Sequence, residues 1–164
     1  SHTRRYRLQD SPYIYTNGIH GAYVEVDVDT GWIKHLKHWV VEDCGRIINP
    51  QLADEQIRGG CVQGLGGALY EHCIYDDAGQ LQNGTMADYV TPMAFEMPDI
   101  EVGHVETPTS ESALGAKGAG ESGTGAAPGV MMNAVNDAIK PLTSGRVKEQ
   151  PITPETLLSA LGKI

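Results

Sequence analysis

The sequence predicts an α+β fold: a β-hairpin and short mixed strands packed with a glycine-rich helix and two shorter helices. Three observations carry this reading. Apolar and polar residues between positions 22 and 41 form two runs on either side of a turn, the pattern of paired, half-buried strands. A long run after Asn49-Pro50 switches to helical spacing. Strand and helix patterns then follow one another without the regular β-α-β order of a doubly wound sheet.

Residues 1–21 are polar and turn-rich, with a basic patch at Arg4, Arg5 and Arg7. They read as a tether or as a strand that needs a partner, with a solvated tail as the plain alternative. From Ala22 to Val28, Ala22, Val24, Val26 and Val28 point to one side, and Tyr23, Glu25 and Asp27 to the other. Asp29-Thr30-Gly31 makes a turn, and Trp32 to Val41 makes the second strand of a hairpin. Asn49 then caps a helix whose first turn accepts Pro50, because the missing N–H has no helical partner there.

That helix runs to about His72. Ile57, Cys61, Leu65 and Ala68 form its apolar stripe, and a second stripe carries Gln56, Gly60, Gln63 and Gly67. Gly59, Gly60, Gly64, Gly66 and Gly67 lie inside it, at a cost of about 1 kcal/mol each relative to alanine. Close contact with another backbone or a cofactor would offset this, and so would tight helix–sheet packing.

Cys73 to Tyr75 reads as a short strand ending in the turn 76–79. Residues 80–99 read as loop, Ile100 to Val105 as a strand, and 106–120 as loop. A helix from Ala127 to Ile139 follows, with Val130, Ala134, Val135 and Ala138 as its apolar face. Thr153-Pro154 caps a last helix, Glu155 to Leu161. The chain divides into an N-terminal segment (1–17), a main portion (18–140) and a C-terminal extension (141–164).

With 164 residues the chain can bury one real core. A net charge of -9 disfavours nucleic acid and anionic membrane surfaces as partners. No apolar run approaches membrane-spanning length, and a cytoplasmic location is expected. Cys44, Cys61 and Cys73 are odd in number and lack a Cys-x-x-Cys pair. That favours reduced thiols and argues against an iron–sulfur cluster held by this chain alone.

The chemical signals are few. Gly118-x-Gly120-x-x-Gly123 matches the dinucleotide fingerprint, but no convincing strand precedes it. The histidines lack metal-ligand spacing, and His35 and His38, three apart on a strand, are expected on opposite faces. No metal ligand is assigned. Ser122 and Thr124 sit in no nucleophile elbow and read as loop hydroxyls.

Glu121 is different, being the one carboxylate within a glycine frame at 115–125. Neighbours without side chains let backbone approach a bulky, rigid ligand. The competing reading is an acid favoured by a helix dipole. The expected helix starts several residues later, which weakens that alternative.

The stretch Gly115 to Ile139 closely resembles the C-terminal part of molybdenum hydroxylases, the family of xanthine dehydrogenase, aldehyde oxidase and aerobic carbon monoxide dehydrogenase. Asp43-Cys44-Gly45-Arg46-Ile47-Ile48-Asn49-Pro50 resembles the entry to that family's glycine-rich helix. Gln56-Ile57-Arg58-Gly59-Gly60-Cys61-Val62-Gln63-Gly64-Leu65-Gly66 resembles its cofactor-contacting helix. The resemblance covers about residues 18–140. It is nearer the carbon monoxide dehydrogenase-like and bacterial aldehyde or N-heterocycle branch, because Ser122-Gly123 follows the glutamate.

The resemblance implies an oxidoreductase that hydroxylates an aldehyde or N-heterocycle carbon with oxygen from water. Glu121 matches the family's general base. Gln56 matches a cofactor-contacting glutamine, and the backbone of Lys117, Gly118, Ala119 and Gly120 would line the same cofactor. That cofactor is molybdenum on molybdopterin, in the cytosine dinucleotide form common in bacteria. FAD and iron–sulfur clusters belong to partner subunits or domains. The family's molybdenum-binding portion is several times longer than this chain. The chain is therefore expected to be a C-terminal piece, inactive alone, that works with the remainder of the molybdenum-binding subunit on a small-molecule substrate. The alternative is a non-catalytic accessory or scaffold subunit that keeps the fold. A small nucleotide-binding domain is a third reading.

Overall fold

Alternating residues do form a hairpin, longer than the pattern alone indicates. In the computed structural model, which describes residues 1–4 and 13–164, β1 (Asn17–Val26) pairs antiparallel with β2 (Ile33–Asp43). β1 begins five residues before Ala22. Of the two readings of this segment, tether or strand in need of a partner, Asn17 to Gly21 take the strand, because Trp39 to Asp43 supply the partner. Arg4 is exposed, and Arg5 and Arg7 of the basic patch lie outside the described residues. Asp27 closes the turn by accepting from the Asp29 and Thr30 N–H groups at 2.9 and 3.2 Å.

β2 carries an extra residue. Tyr23 faces Lys37 while Val24 faces His35, so Leu36 is left as a bulge. A bulge resets the two-residue side-chain alternation. His35 and His38 consequently share a face, their rings 5.2 Å apart, where ideal strand geometry puts them on opposite sides. β3 (Ile100–His104) runs parallel to β2 and completes the sheet in the order β1-β2-β3. The expected strand at Cys73 to Tyr75 reduces to one bridge between Tyr75 and Leu81, because the flanking loop offers no second strand long enough to pair with it.

α1 (Pro50–Leu69) starts as its cap predicts, with the Asn49 side chain accepting from the Leu52 N–H at 3.2 Å. Ile57, Cys61, Leu65 and Ala68 are fully buried, the stripe read from the spacing. α2 (Ser122–Ile139) starts five residues before Ala127. Its buried residues are Gly123, Ala127, Met131, Val135 and Ile139, a single row at every fourth position. Of the expected face only Val135 belongs to that row. Val130, Ala134 and Ala138 flank it, because the row is chosen by the groove on α1 and not by α2 alone.

The groove is made of missing side chains. A Cβ at Gly64 would lie 2.7 Å from the Thr124 carbonyl oxygen and 2.8 Å from the Ala127 methyl, and one at Gly60 would lie 3.2 Å from the Gly123 Cα. A Cβ at Gly123 would run into the Ile57 carbonyl oxygen. Helix–helix contact therefore accounts for Gly60, Gly64 and Gly123. Gly59 and Gly67 meet nothing within 4 Å.

The C-terminal extension closes the core. Val147, Ile152 and Leu157 pack with Leu65, Met131, Val135 and Ile139. Asn136 holds Val147 at both backbone groups, at 2.9 and 3.0 Å. The Ile152 N–H donates to the Ala68 carbonyl at 2.7 Å. Thr153 caps α3 (Pro154–Ala160). Among the described residues no helix is long and apolar enough to cross a membrane.

Candidate functional site

The segment before α2 is held from two sides. On one, the chain leaving β2 bridges to it: Gly45 pairs with Ala116, the Lys117 N–H donates to the Cys44 carbonyl at 2.8 Å, and the Arg46 N–H to the Gly115 carbonyl at 3.0 Å. Gly45 and Gly115 have φ of 66° and 75°, the left-handed region that other residues rarely enter. On the other side, Gln56 of α1 donates from Nε2 to the Gly120 carbonyl at 2.7 Å.

Asp43 is the clamp at the base. Its Oδ1 accepts from the Gly45 N–H at 2.9 Å and the Thr107 N–H at 3.0 Å, and its Oδ2 takes the Lys117 ammonium at 3.2 Å. Hydrogen bonds from the Thr107 hydroxyl and the Gly45 N–H, with further help from Lys117, hold its carboxyl well below the usual carboxylate range. A depressed folded value makes stability that is present above the unfolded value and lost as pH falls toward the folded one. Thermal midpoints of the chain should therefore drop below about pH 4. Asp43→Asn should shallow that acid limb. An equally steep limb in the variant would remove Asp43 from this role.

Between these anchors the strip from Gly118 to Glu121 faces outward. Gly118, Gly120 and Glu121 are exposed, and a Cβ at either glycine would meet nothing within 4 Å. Among the described residues no hydrogen bond takes the N–H groups of Gly118, Ala119 or Gly120. Lys117 differs, since its N–H is spent on Cys44 and its ammonium on Asp43. Ala119 packs inward against the cluster of Ile57, Cys61 and Ile100, which fixes the height of the strip.

Glu121 occupies the N-cap position of α2 and makes no side-chain capping hydrogen bond. The helix starts at Ser122, so no stretch of loop separates the acid from the helix dipole. The positive end of an 18-residue helix favours the negative charge there. The structure thus brings both readings of Glu121 together: the carboxylate sits at a helix N-terminus and projects beside bare backbone.

This arrangement fits a flat, polar ligand laid on the strip. Three backbone donors stand free of partners within the described residues, the Cβ positions are open, and the Gln56 carbonyl oxygen and second amide hydrogen are uncommitted among the described residues. Sequence reasoning singled out Glu121, Gln56 and the glycines. It named no role for Asp43 and Thr107, although the motif from Asp43 to Pro50 stood out in the chain. Gly123, expected to give room to a ligand, gives room to α1 instead.

Residues 1–98 match the molybdopterin cofactor-binding domain. The nicotine 6-hydroxylase large subunit of Paenarthrobacter nicotinovorans is 47% identical over 147 residues, 90% of this chain and 18% of that protein. The carbon monoxide dehydrogenase large chain of Afipia carboxidovorans is 33% identical over 82% of this chain and 17% of its own length. Quinoline 2-oxidoreductase from Pseudomonas putida 86 superposes with a TM-score of 0.86 at 42% identity, over 90% of this chain and 19% of that one. The chain spans less than a fifth of these relatives.

Proposed function

Because the chain belongs to the molybdenum hydroxylase large-subunit family, we propose that it supplies the general-base carboxylate of an enzyme that hydroxylates a small molecule with oxygen from water. The observation that carries the reading is the outward Glu121 at the head of α2, beside backbone without side chains and braced by Gln56. The cofactor would be molybdenum on molybdopterin, in its cytosine dinucleotide form. When bound it supplies the activated oxygen and accepts the electron pair.

The chain's own residues do the remaining work. Glu121 receives the proton that must leave the water-derived oxygen, a transfer that requires hydrogen-bond reach. Gly118, Ala119 and Gly120 offer backbone N–H groups to the cofactor face, and Gln56 offers its amide. Lys117 contributes by fixing the strip to Asp43 and Cys44. The rest of the large subunit, with iron–sulfur and flavin subunits, would complete a cytoplasmic complex. An aldehyde or N-heterocycle is the substrate class. Nicotine and quinoline in the names of two relatives favour the N-heterocycle.

Turnover in heavy-oxygen water under ordinary dioxygen tests the reaction. The hydroxylated product should carry the heavy label. Label derived from dioxygen, or an absence of turnover across aldehydes and N-heterocycles in the loaded complex, would overturn the proposal. Gln56→Ala should lower molybdenum occupancy of the assembled enzyme, read by metal analysis. Full occupancy would leave Gln56 as a brace for Gly120 only.

A further inference from the structure

Between the sheet and α1 lies a set of chemistry-bearing side chains whose donor atoms take no part in the site above, although Cys61 also packs beneath Ala119. His20 on β1 and His38 on β2 face each other with Nδ1 and Nε2 only 3.1 Å apart. Cys61 on α1 brings its sulfur to the same point, and the three candidate donor atoms lie within 4.8 Å of one another. His38 and Cys61 are fully buried and the His20 side chain is 1% exposed.

From these we infer a metal site: His20 Nδ1, His38 Nε2 and Cys61 Sγ hold a single zinc-class d10 cation. Nitrogen, nitrogen and sulfur form the donor set such ions prefer. Zinc–nitrogen bonds of about 2.0 Å at a tetrahedral angle separate two nitrogens by roughly 3.3 Å, close to the spacing present. A sulfur bonded at about 2.3 Å would stand roughly 3.6 Å from each nitrogen, within reach of a small shift of the Cys61 side chain. Binding replaces the thiol proton, which leaves to solvent, and breaks the His20–His38 hydrogen bond, whose proton moves from His38 Nε2 to His38 Nδ1 as that ring changes tautomer.

A second observation points the same way. His20 Nε2, the nitrogen turned away from the cluster, lies 3.4 Å from the Glu42 carboxylate. A ligating histidine commonly donates its other N–H to a carboxylate, which orients the ring. Glu42 is 1% exposed and has its own space, because a Cβ at Gly18 would collide with its carboxylate. His35 packs edge-on against His38, their ring centroids 5.2 Å apart, and limits rotation of that ring. The bulge at Leu36 is what puts His35 there.

The test uses the complete large subunit in its complex. Metal analysis after dialysis should find about one zinc per subunit, with a zinc-edge X-ray absorption shell of nitrogen at about 2.0 Å and one sulfur at about 2.3 Å. Cys61→Ser should remove the sulfur shell, with molybdenum content unchanged. Glu42→Gln should weaken zinc affinity roughly 10-fold or more, which keeps the idea testable if Cys61→Ser fails to accumulate. A subunit that stays below about a tenth of one zinc after added Zn2+ would overturn the inference. So would a shell without sulfur in the wild type, or a shell and affinity untouched by the variants.

Discussion

Glu121→Gln in the assembled enzyme should lower turnover by about 10²-fold or more, the scale of a lost general base. The substitution keeps the size and shape of the side chain and removes its negative charge and proton affinity. Little else should change, because Glu121 is exposed and makes no capping hydrogen bond. Its backbone carbonyl still accepts from the Thr124 N–H at 3.1 Å, so the helix start is kept. Assembly and molybdenum content should match the wild type, and the loss should fall on kcat more than on KM. Wild-type turnover in a fully loaded variant would rule Glu121 out as the base. Loss of molybdenum alongside activity would make it a cofactor-retention residue instead.

A methyl group at Gly123 should cost the fold about 3 kcal/mol, at the upper end of overpacking penalties. The added carbon meets the Ile57 carbonyl oxygen and lies 3.1 Å from the Cys61 amide nitrogen. Both are backbone atoms inside a helix, so neither can turn aside as a flexible side chain could. α1 and α2 would have to separate, and that opens the contact on which the Glu121 strip rests. For a chain of this length the thermal midpoint should fall by roughly 6–12 °C. Gly125→Ala is the control, since its Cβ would meet nothing within 4 Å and it lies in the same helix. There alanine should be neutral or stabilising by up to about 1 kcal/mol, through helix propensity alone. Similar effects at the two positions would contradict the close helix crossing.

The contrast between these two glycines explains how far the chain could be read before folding. Hairpin, capped helix, stripe of Ile57 to Ala68 and C-terminal cap follow from local rules: side-chain period, an Asn or Thr cap, a proline in the first turn. Each acts within a few residues, so it is visible in one dimension. The start of α2 was not, because Ser122 to Ala126 holds two glycines and reads as loop. Contact with the glycine groove of α1 overrides that weak propensity. The buried row of α2 was hidden for the same reason.

For the candidate site, the glycine frame drew attention to Glu121, and the family resemblance pointed to Gln56. The long-range contacts that hold the strip before α2 were not legible. Gln56 meets Gly120 across 64 positions of sequence, and Asp43 reaches Lys117 across 74. Nor could the strand period reveal that His35 and His38 lie on one face, since a single bulged residue reverses the alternation. Composition and periodicity specify which surfaces want burial and which bends are cheap. Which distant surfaces meet, and hence which polar groups are spent on the fold and which stay free for chemistry, is settled when the helices and sheet pack together.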